Sequence, residues 1–136
     1  MELIKQCLAI GVGGFLGSLS RYGVTRLLQG TAEKVIGRTW SFPIGTLVVN
    51  LSGCFVLGFF YALASERTSP HVRLGVAVGF VGAYTTFSTL MFDSSSLVEK
   101  GELYKAAVNL LVSLVVGFAA VRLGAVCAGA FRVAGR

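Results

Sequence analysis

Four long apolar runs divide the chain, and charged residues stand almost entirely between them. The four longest uncharged runs contain 15, 27, 19 and 16 residues and occupy 6–20, 39–65, 74–92 and 106–121. A membrane-spanning helix needs about 20 mainly apolar residues. We therefore predict an all-α membrane protein with four transmembrane helices, which form a single integral membrane domain over residues 1–136. The predicted spans are approximately 7–28, 42–64, 74–97 and 103–124.

The third apolar run is unusual because hydroxyl side chains follow closely behind glycines. The hydroxyl residues are Thr85, Thr86, Ser88 and Thr89, and the glycines are Gly79 and Gly82. Non-helical backbone at membrane depth is tolerated where protein or a water-filled cavity satisfies it, and glycine supplies conformational freedom. One interpretation is a helix that breaks mid-membrane, around 82–86, and lines a polar path. A helix–helix contact made by small residues and hydroxyl hydrogen bonds fits the spacing equally well.

Two further polar residues lie at or within the apolar spans, Arg21 in the first and Asn50 in the second. A charged side chain at membrane depth usually faces a water-filled cavity or a partner, although Arg21 can also extend to the membrane surface beside Tyr22. Asn50 follows Thr46 by four residues and shares its helix face. Its amide must find hydrogen-bond partners in lipid, and either helix–helix contacts or a pore lining supplies them.

The fourth apolar run carries a narrow polar stripe. Asn109, Ser113 and Gly117 follow one another at intervals of four residues, which places them on one face of an apolar helix. The sequence leaves the role of this stripe open.

The composition agrees with a membrane protein that assembles with itself. Charged residues make up 13% of the chain, about half of the roughly 25% found in soluble domains. The 18 glycines favour close helix contacts, and a lone four-helix chain has little interior, so we expect an oligomer. The cations behind the net charge of +6 are dispersed, so we expect no nucleic-acid partner. The cysteines are interpreted as small packing residues: Cys7, Cys54 and Cys127.

The positive charges give almost no preferred orientation in the membrane. With four spans, one side carries six cations: Lys5, Arg67, Arg73, Arg122, Arg132 and Arg136. The other side carries five: Arg26, Lys34, Arg38, Lys100 and Lys105. Because orientation normally follows a lysine and arginine bias, this near balance permits insertion both ways. An antiparallel, dual-topology homodimer is compatible with it.

The chemistry missing from the spans limits the function. We expect all six carboxylates in or beside loops or at the ends of spans: Glu2, Glu33, Glu66, Asp93, Glu99 and Glu102. Proton-coupled pumps usually need a carboxylate, lysine or histidine at membrane depth. No histidine accompanies the hydroxyls of the third span, so we predict that the protein is not an enzyme. The remaining donors suit a small anion or neutral polar solute, and a broken helix can add carbonyls for one structural cation.

Three segments together carry a resemblance to a known family. They are GGFLGSLSRY in the first span, GTLVVNLSG in the second and GFVGAYTTFST in the third. In this order and spacing, over nearly the whole chain, the sequence closely resembles the CrcB/Fluc fluoride channels, small four-helix bacterial membrane proteins. The resemblance implies an antiparallel homodimer in the bacterial inner (plasma) membrane, with two fluoride pores along the interface. It also implies passive efflux of cytoplasmic fluoride.

The resemblance assigns roles to particular residues. The backbone carbonyls of Gly82 and Thr85 from both subunits would hold a central sodium ion. Phe87 would turn a ring edge toward fluoride, Asn50 would donate its amide and Arg21 would face the vestibule. Two residues would belong to a polar track beside the rings: Ser88 and Thr89.

The chain departs from the family pattern at two positions near this site. Leu90 stands in the predicted fluoride path where family members usually have a second phenylalanine. Phe92 is a candidate to replace that ring. Ala83 stands where a second glycine usually precedes the threonine pair. Leu90 bears on how the pore holds its ion more than on which ion it passes.

Two other functions compete with a fluoride channel. A dual-topology small multidrug exporter also has four short helices, but it requires a carboxylate in the first span, and residues 6–28 contain none. A non-transporting assembly protein would use its polar stripes only to join helices. It predicts no ion flux from purified protein in liposomes.

Overall fold

The computed structural model describes residues 1–37, 40–64 and 68–134, with side chains as far as Phe131. Every regular element in these ranges is helical: α1 (Glu2–Ile36), α2 (Ile44–Leu63), α3 (Pro70–Arg73), a π-helical segment (Leu74–Val81), α4 (Gly82–Tyr84), α5 (Phe87–Glu99) and α6 (Leu103–Ala134). Among the cations counted above, Arg38, Arg67, Arg136 and the side chain of Arg132 lie outside this description.

Four helical stretches of the described chain are long and apolar enough to cross a membrane. They are Glu2–Ile36, Ile44–Leu63, Pro70–Glu99 and Leu103–Phe131. The third stretch, Pro70–Glu99, comprises α3, the π-helical segment, α4 and α5. The predicted all-helical architecture with four membrane spans is confirmed.

The first and last helices extend beyond the ends expected from hydrophobicity. The first predicted span ends near residue 28 and the second begins near 42, but α1 continues to Ile36 and ends at Gly37, which has a φ of 117°. Glycine adopts positive φ without a steric penalty, which makes it a common helix stop. At the other end of the chain, α6 continues through the predicted limit near Gly124 as far as Ala134. Loss of hydrophobicity marks the membrane surface, whereas a helix ends only where the backbone geometry changes.

Glycines set how closely the helices pack, in agreement with the high glycine content of the chain. A Cβ placed on Gly13 would lie 2.0 Å from the carbonyl oxygen of Gly75, and one on Gly17 would lie 2.2 Å from that of Phe80. These contacts seat α1 directly on the backbone of the π-helical segment. A Cβ on Gly58 of α2 would likewise lie 2.1 Å from a carbonyl oxygen of α6. The helix pairs are therefore in backbone contact, with no room for a methyl group.

The third span is broken, and the break is one residue pair long. Thr85 (φ −83°, ψ 157°) and Thr86 (φ −152°, ψ 115°) are extended, and α5 begins at the next residue. Gly82, which we expected to open the break, is itself helical at φ −62° and ψ −33°. Upstream, eight residues form the π-helical segment, a wide geometry that is rare and often found at functional sites.

Candidate functional site

Asn50 of α2 holds the broken backbone through both ends of its amide. Its Oδ1 accepts a 2.7 Å hydrogen bond from the N–H of Thr86, and its Nδ2 donates a 3.0 Å bond to the carbonyl oxygen of the same residue. The two bonds satisfy the peptide groups that leave the helix at this point. Asn50 therefore joins helices, as one of its two predicted roles required, and it does so at the break itself.

Thr86 begins α5 as its N-terminal cap. Its Oγ1 accepts a 3.3 Å hydrogen bond from the N–H of Thr89 and lies 2.9 Å from Thr89 Oγ1 and 3.3 Å from Ser88 Oγ. Threonine is a favoured cap because its oxygen satisfies one of the unpaired N–H groups of the first turn. The hydroxyls predicted for the polar track are thus gathered into one hydrogen-bonded group at the break.

A cavity of about 250 Å³ lies beside the break. Its wall includes Asn50, Thr85, Thr86 and the ring of Phe87, which is 71% exposed. Leu90 also lines this cavity, although it is only 6% exposed because α5 packs against the rest of the bundle. The cavity is completed mainly by apolar residues of α2, the π-helical segment and α6: Gly53, Cys54, Leu57, Val81, Ser113 and Leu114.

Phe92, the candidate replacement for the missing ring, points elsewhere. It is 72% exposed and lines neither cavity described for this part of the chain. Phe92 is five positions after Phe87, which places the two rings about 140° apart around a helix of 3.6 residues per turn. Among the described residues, Phe87 is the aromatic residue that lines the cavity beside the break.

Arg21 lies in a second, more polar cavity of about 420 Å³ on the other side of Thr86. Thr46 and Thr89 share this wall, so the hydroxyls of two spans face the arginine across one space. Arg26 also belongs to this wall, and its guanidinium lies 5.8 Å from the centre of the Tyr22 ring. Thr86 lines both cavities, which places the break between them.

The expectation that every carboxylate lies near a loop or a span end is wrong for Asp93. This residue is in the middle of α5, half-buried, and its Oδ2 accepts a 2.8 Å hydrogen bond from Thr46 Oγ1. The helix continues six residues past Asp93, to Glu99, so the charge does not mark its end. A signal was present in the spacing: Asp93 follows Thr89 by four residues and shares its helix face.

The polar stripe of α6 serves two different purposes. Asn109 is completely buried and donates a 3.0 Å hydrogen bond to Ser94 Oγ, which in turn donates 2.7 Å to the carbonyl of Leu90. This chain ties α5 to α6. Ser113, one turn further along, lines the 250 Å³ cavity instead. Asn109 therefore joins two helices, whereas Ser113 lies at the site.

His71, beside Pro70 at the start of the third span, lies next to a carboxylate. Its Nε2 lies 3.0 Å from Glu2 Oε1, which joins the start of α1 to the start of the third span. The contact is far from the break and adds nothing to the site.

The sequence matches a known family over most of its length. The model for "CrcB-like protein, Camphor Resistance (CrcB)" matches residues 8–125. A protein of Solibacter usitatus described as "Fluoride-specific ion channel FluC" is 45% identical over 125 residues, which cover 89% of this chain and 96% of the relative. A relative of the same description from Chlorobium phaeobacteroides is 38% identical over 126 residues, 91% of this chain and 92% of the relative. Another, from Methylococcus capsulatus, is 45% identical over 122 residues, and the chain spans about half, 51%, of its length.

Proposed function

The chain belongs to the CrcB-like family, and we propose that it is a fluoride-selective ion channel, not an enzyme, that lets cytoplasmic fluoride leave the cell passively. The relatives at 38–45% identity are described as fluoride-specific ion channels. Four spans account for nearly the whole described chain, which suits a protein whose entire function lies in the membrane.

The observation that carries this proposal is the break of the third span between two cavities. Thr86 lines both of them, and hydroxyl and amide groups surround it. A passing anion loses its water at such a place and needs donors to replace that water. Asn50 can supply one, because a primary amide has two N–H bonds and only one of them is directed at Thr86.

The other site residues fit separate steps along the path. Arg21 lies in the larger cavity, where its positive charge raises the local concentration of anions. The exposed ring of Phe87 lies at the smaller cavity, and the edge of an aromatic ring is positive. Ser88 and Thr89 complete the hydroxyl group beside that ring. Leu90 supplies an apolar wall where the family usually has a second ring.

The direction of transport follows from acid–base chemistry and the membrane potential. Hydrogen fluoride is a weak acid that crosses lipid uncharged and dissociates in the more alkaline cytoplasm, which traps the anion. An inside-negative potential then drives fluoride outward, with about 2.3 kcal/mol per charge for each 100 mV. A passive pore needs neither ATP nor a coupling proton.

The proposed assembly is an antiparallel homodimer in the bacterial inner membrane, with two pores. The near balance of six cations against five supports insertion in both orientations. Many large apolar side chains of α1 and α6 are exposed in the single chain, Phe15 and Phe118 among them, which leaves ample surface for lipid and a second copy.

A sodium ion at the centre of the dimer is part of the same proposal. The helix ends at Tyr84, so the carbonyls of Gly82 and Thr85 lie where the regular helical ladder stops. Carbonyl oxygens are suitable ligands for a hard cation, so the residues present fit the ion. When bound, it would supply positive charge that joins the two copies at their broken spans.

A multidrug exporter is less compatible with the structure. An exporter of that class needs a carboxylate within the first span, and residues 6–28 contain none. Asp93 lies in the third span instead and is hydrogen-bonded to Thr46. The function is tested by efflux from liposomes loaded with fluoride or with chloride, using purified protein. We expect rapid fluoride efflux, chloride release no faster than the leak, and slower fluoride efflux for Asn50→Ala and Phe87→Ala. Chloride efflux at a comparable rate would remove the fluoride assignment, and unchanged rates in both variants would remove the site assignment.

A further inference from the structure

We propose that Asn50 and Thr86 are positioning residues for the sodium site. Their side chains take up the two backbone N–H groups that a continuous helix would direct at the carbonyls of Gly82 and Thr85. The inference rests on the proposed sodium site and concerns what prepares it. Asn50 then acts on the cation as well as on the anion.

The first step concerns the carbonyl of Gly82. In an α-helix this oxygen accepts the N–H four residues later, that of Thr86. Here the Thr86 N–H is 2.7 Å from Asn50 Oδ1 and bonds to it instead. Asn50 therefore takes the helix partner of the Gly82 oxygen and leaves that oxygen available.

The second step repeats the arrangement one turn later. The helix partner of the Thr85 carbonyl is the N–H of Thr89. That N–H donates to Thr86 Oγ1 at 3.3 Å, in the capping interaction that opens α5. Both proposed ligand carbonyls thus lose their helix partners to a side-chain oxygen, and the two side chains belong to Asn50 and Thr86.

Further hydrogen bonds keep the two N–H groups, those of Thr86 and Thr89, on their side-chain acceptors. Asn50 Nδ2 donates 3.0 Å to the Thr86 carbonyl, so the Thr86 peptide cannot turn back into the helix without losing two bonds. Thr86 Oγ1 lies 2.9 Å from Thr89 Oγ1, which fixes the capping side chain. Groups that orient the ligands of a metal commonly change its affinity by about 10- to 100-fold when they are removed.

Thr85 itself provides a useful contrast. Its N–H and its Oγ1 both donate to the carbonyl of Val81, at 3.0 and 2.9 Å. The last regular turn before the break therefore stays closed at Val81, whereas the carbonyls of Gly82 and Thr85 lose their helix partners. The Val81 carbonyl keeps its helix partner, the N–H of Thr85. The next carbonyl, that of Gly82, loses its partner because the N–H of Thr86 bonds to Asn50.

The experiment measures equilibrium binding of radioactive sodium to the purified full-length protein, together with the shift in melting temperature when N-methylglucamine replaces sodium. The variants are Asn50→Leu, Thr86→Val and Thr86→Ser. Ser52→Ala is the matched control, because it removes a 3.0 Å contact of α2 with the third span, that of Ser52 with Tyr84, and leaves both captured N–H groups in place.

We expect sodium affinity to fall by about tenfold or more in Asn50→Leu and Thr86→Val, with a smaller sodium-dependent melting shift. Thr86→Ser keeps the capping oxygen and should stay within about twofold of the intact protein, as should Ser52→Ala. Intact affinity in Thr86→Val would overturn the inference, and if Asn50→Leu fails to fold, the Thr86→Val and Thr86→Ser pair decides alone. Intact protein that binds no sodium but still releases fluoride would overturn the sodium site without touching the channel. Protein that binds sodium but passes no fluoride would overturn the channel without touching the sodium site.

Discussion

Thr46 Oγ1 donates a 2.8 Å hydrogen bond to Asp93 Oδ2 and so joins the first turn of α2 to the middle of α5. Thr46 is only 5% exposed, so its hydroxyl has little water to bond with if the carboxylate is removed. The same threonine lines the cavity that contains Arg21. The pair therefore holds the second half of the third span against α2 at the wall of the proposed vestibule.

Thr46 and Asp93 should stabilise the fold as a coupled pair. We expect Thr46→Val and Asp93→Ala each to lower the free energy of unfolding in detergent, with a coupling of about 1 kcal/mol in the double variant. The physical reason is that the second substitution removes a group already left without its partner. Strictly additive losses in this double-mutant cycle would show that the hydrogen bond contributes nothing.

Gly17 should tolerate no side chain. A Cβ at this position would lie 2.2 Å from the carbonyl oxygen of Phe80, whereas one on Gly23 of the same helix meets nothing within 4 Å. We expect Gly17→Ala to destabilise the protein by about 1–3 kcal/mol through overpacking, and to slow fluoride efflux because the π-helical segment must shift. Gly23→Ala is the matched control and should melt at or slightly above the temperature of the intact protein. Equal melting temperatures for the two variants would refute the close packing of α1 on the third span.

Arg21 should act on fluoride through its charge. We expect Arg21→Gln to reduce fluoride efflux several-fold at low ionic strength and less at high ionic strength, since charges separated by more than about 10 Å are largely screened at 0.1 M salt. Lys5→Gln is the control, because it removes the same charge from the same helix about 24 Å away. A reduction of similar size in both variants, or one independent of salt, would argue against attraction of the anion by Arg21.

Glu102, in the connection between α5 and α6, should stabilise the fold at neutral pH and lose this effect in acid. Hydrogen bonds from Ser41 and then from Lys105, whose Nζ lies 3.0 Å from Glu102 Oε1, lower the pKa of the Glu102 carboxyl below its usual value of 4.5. A lowered pKa in the folded state stabilises the protein fully above the unfolded pKa, and this contribution disappears as pH falls through the folded value.

Melting curves of the intact protein and Glu102→Gln, recorded from pH 7 down to pH 3, measure this contribution. We expect the intact protein to melt at the higher temperature at neutral pH, with the difference closing in acid. A difference that stays constant across this range would mean that ionisation of Glu102 has no part in the contact.

The fold was largely predictable because each span contains a long uncharged run. The break was predictable only as a region. Glycines and hydroxyls indicated 82–86, but Gly82 stays helical and the backbone leaves the helix at Thr85 and Thr86. The residue that holds it there, Asn50, lies 36 positions earlier in the chain. No local pattern encodes a contact between two spans. The sequence therefore indicated Asn50 and the hydroxyls of the third span separately, and it did not indicate that they bond to each other.

Asp93 and the π-helical segment were harder to predict from the sequence, for a related reason. A charge near the end of an uncharged run normally marks the membrane surface, yet α5 continues to Glu99 and Asp93 finds a partner in Thr46. The π-helical segment Leu74–Val81 lies in backbone contact with Gly13 and Gly17 of another helix. Hydrophobic periodicity is sensitive to which face is buried, and it carries little information about such backbone contacts.

The most direct test of the proposed channel is the reversal potential of purified protein in a planar bilayer. Fluoride is set tenfold higher on one side, and chloride is held equal on both. A passive fluoride-selective pore predicts a current that reverses at about 59 mV, with the high-fluoride side positive, as expected for a monovalent anion at that gradient. A reversal potential near zero would show that fluoride does not dominate the current and would contradict fluoride selectivity. Folded protein that passes no current and no fluoride would contradict the channel itself.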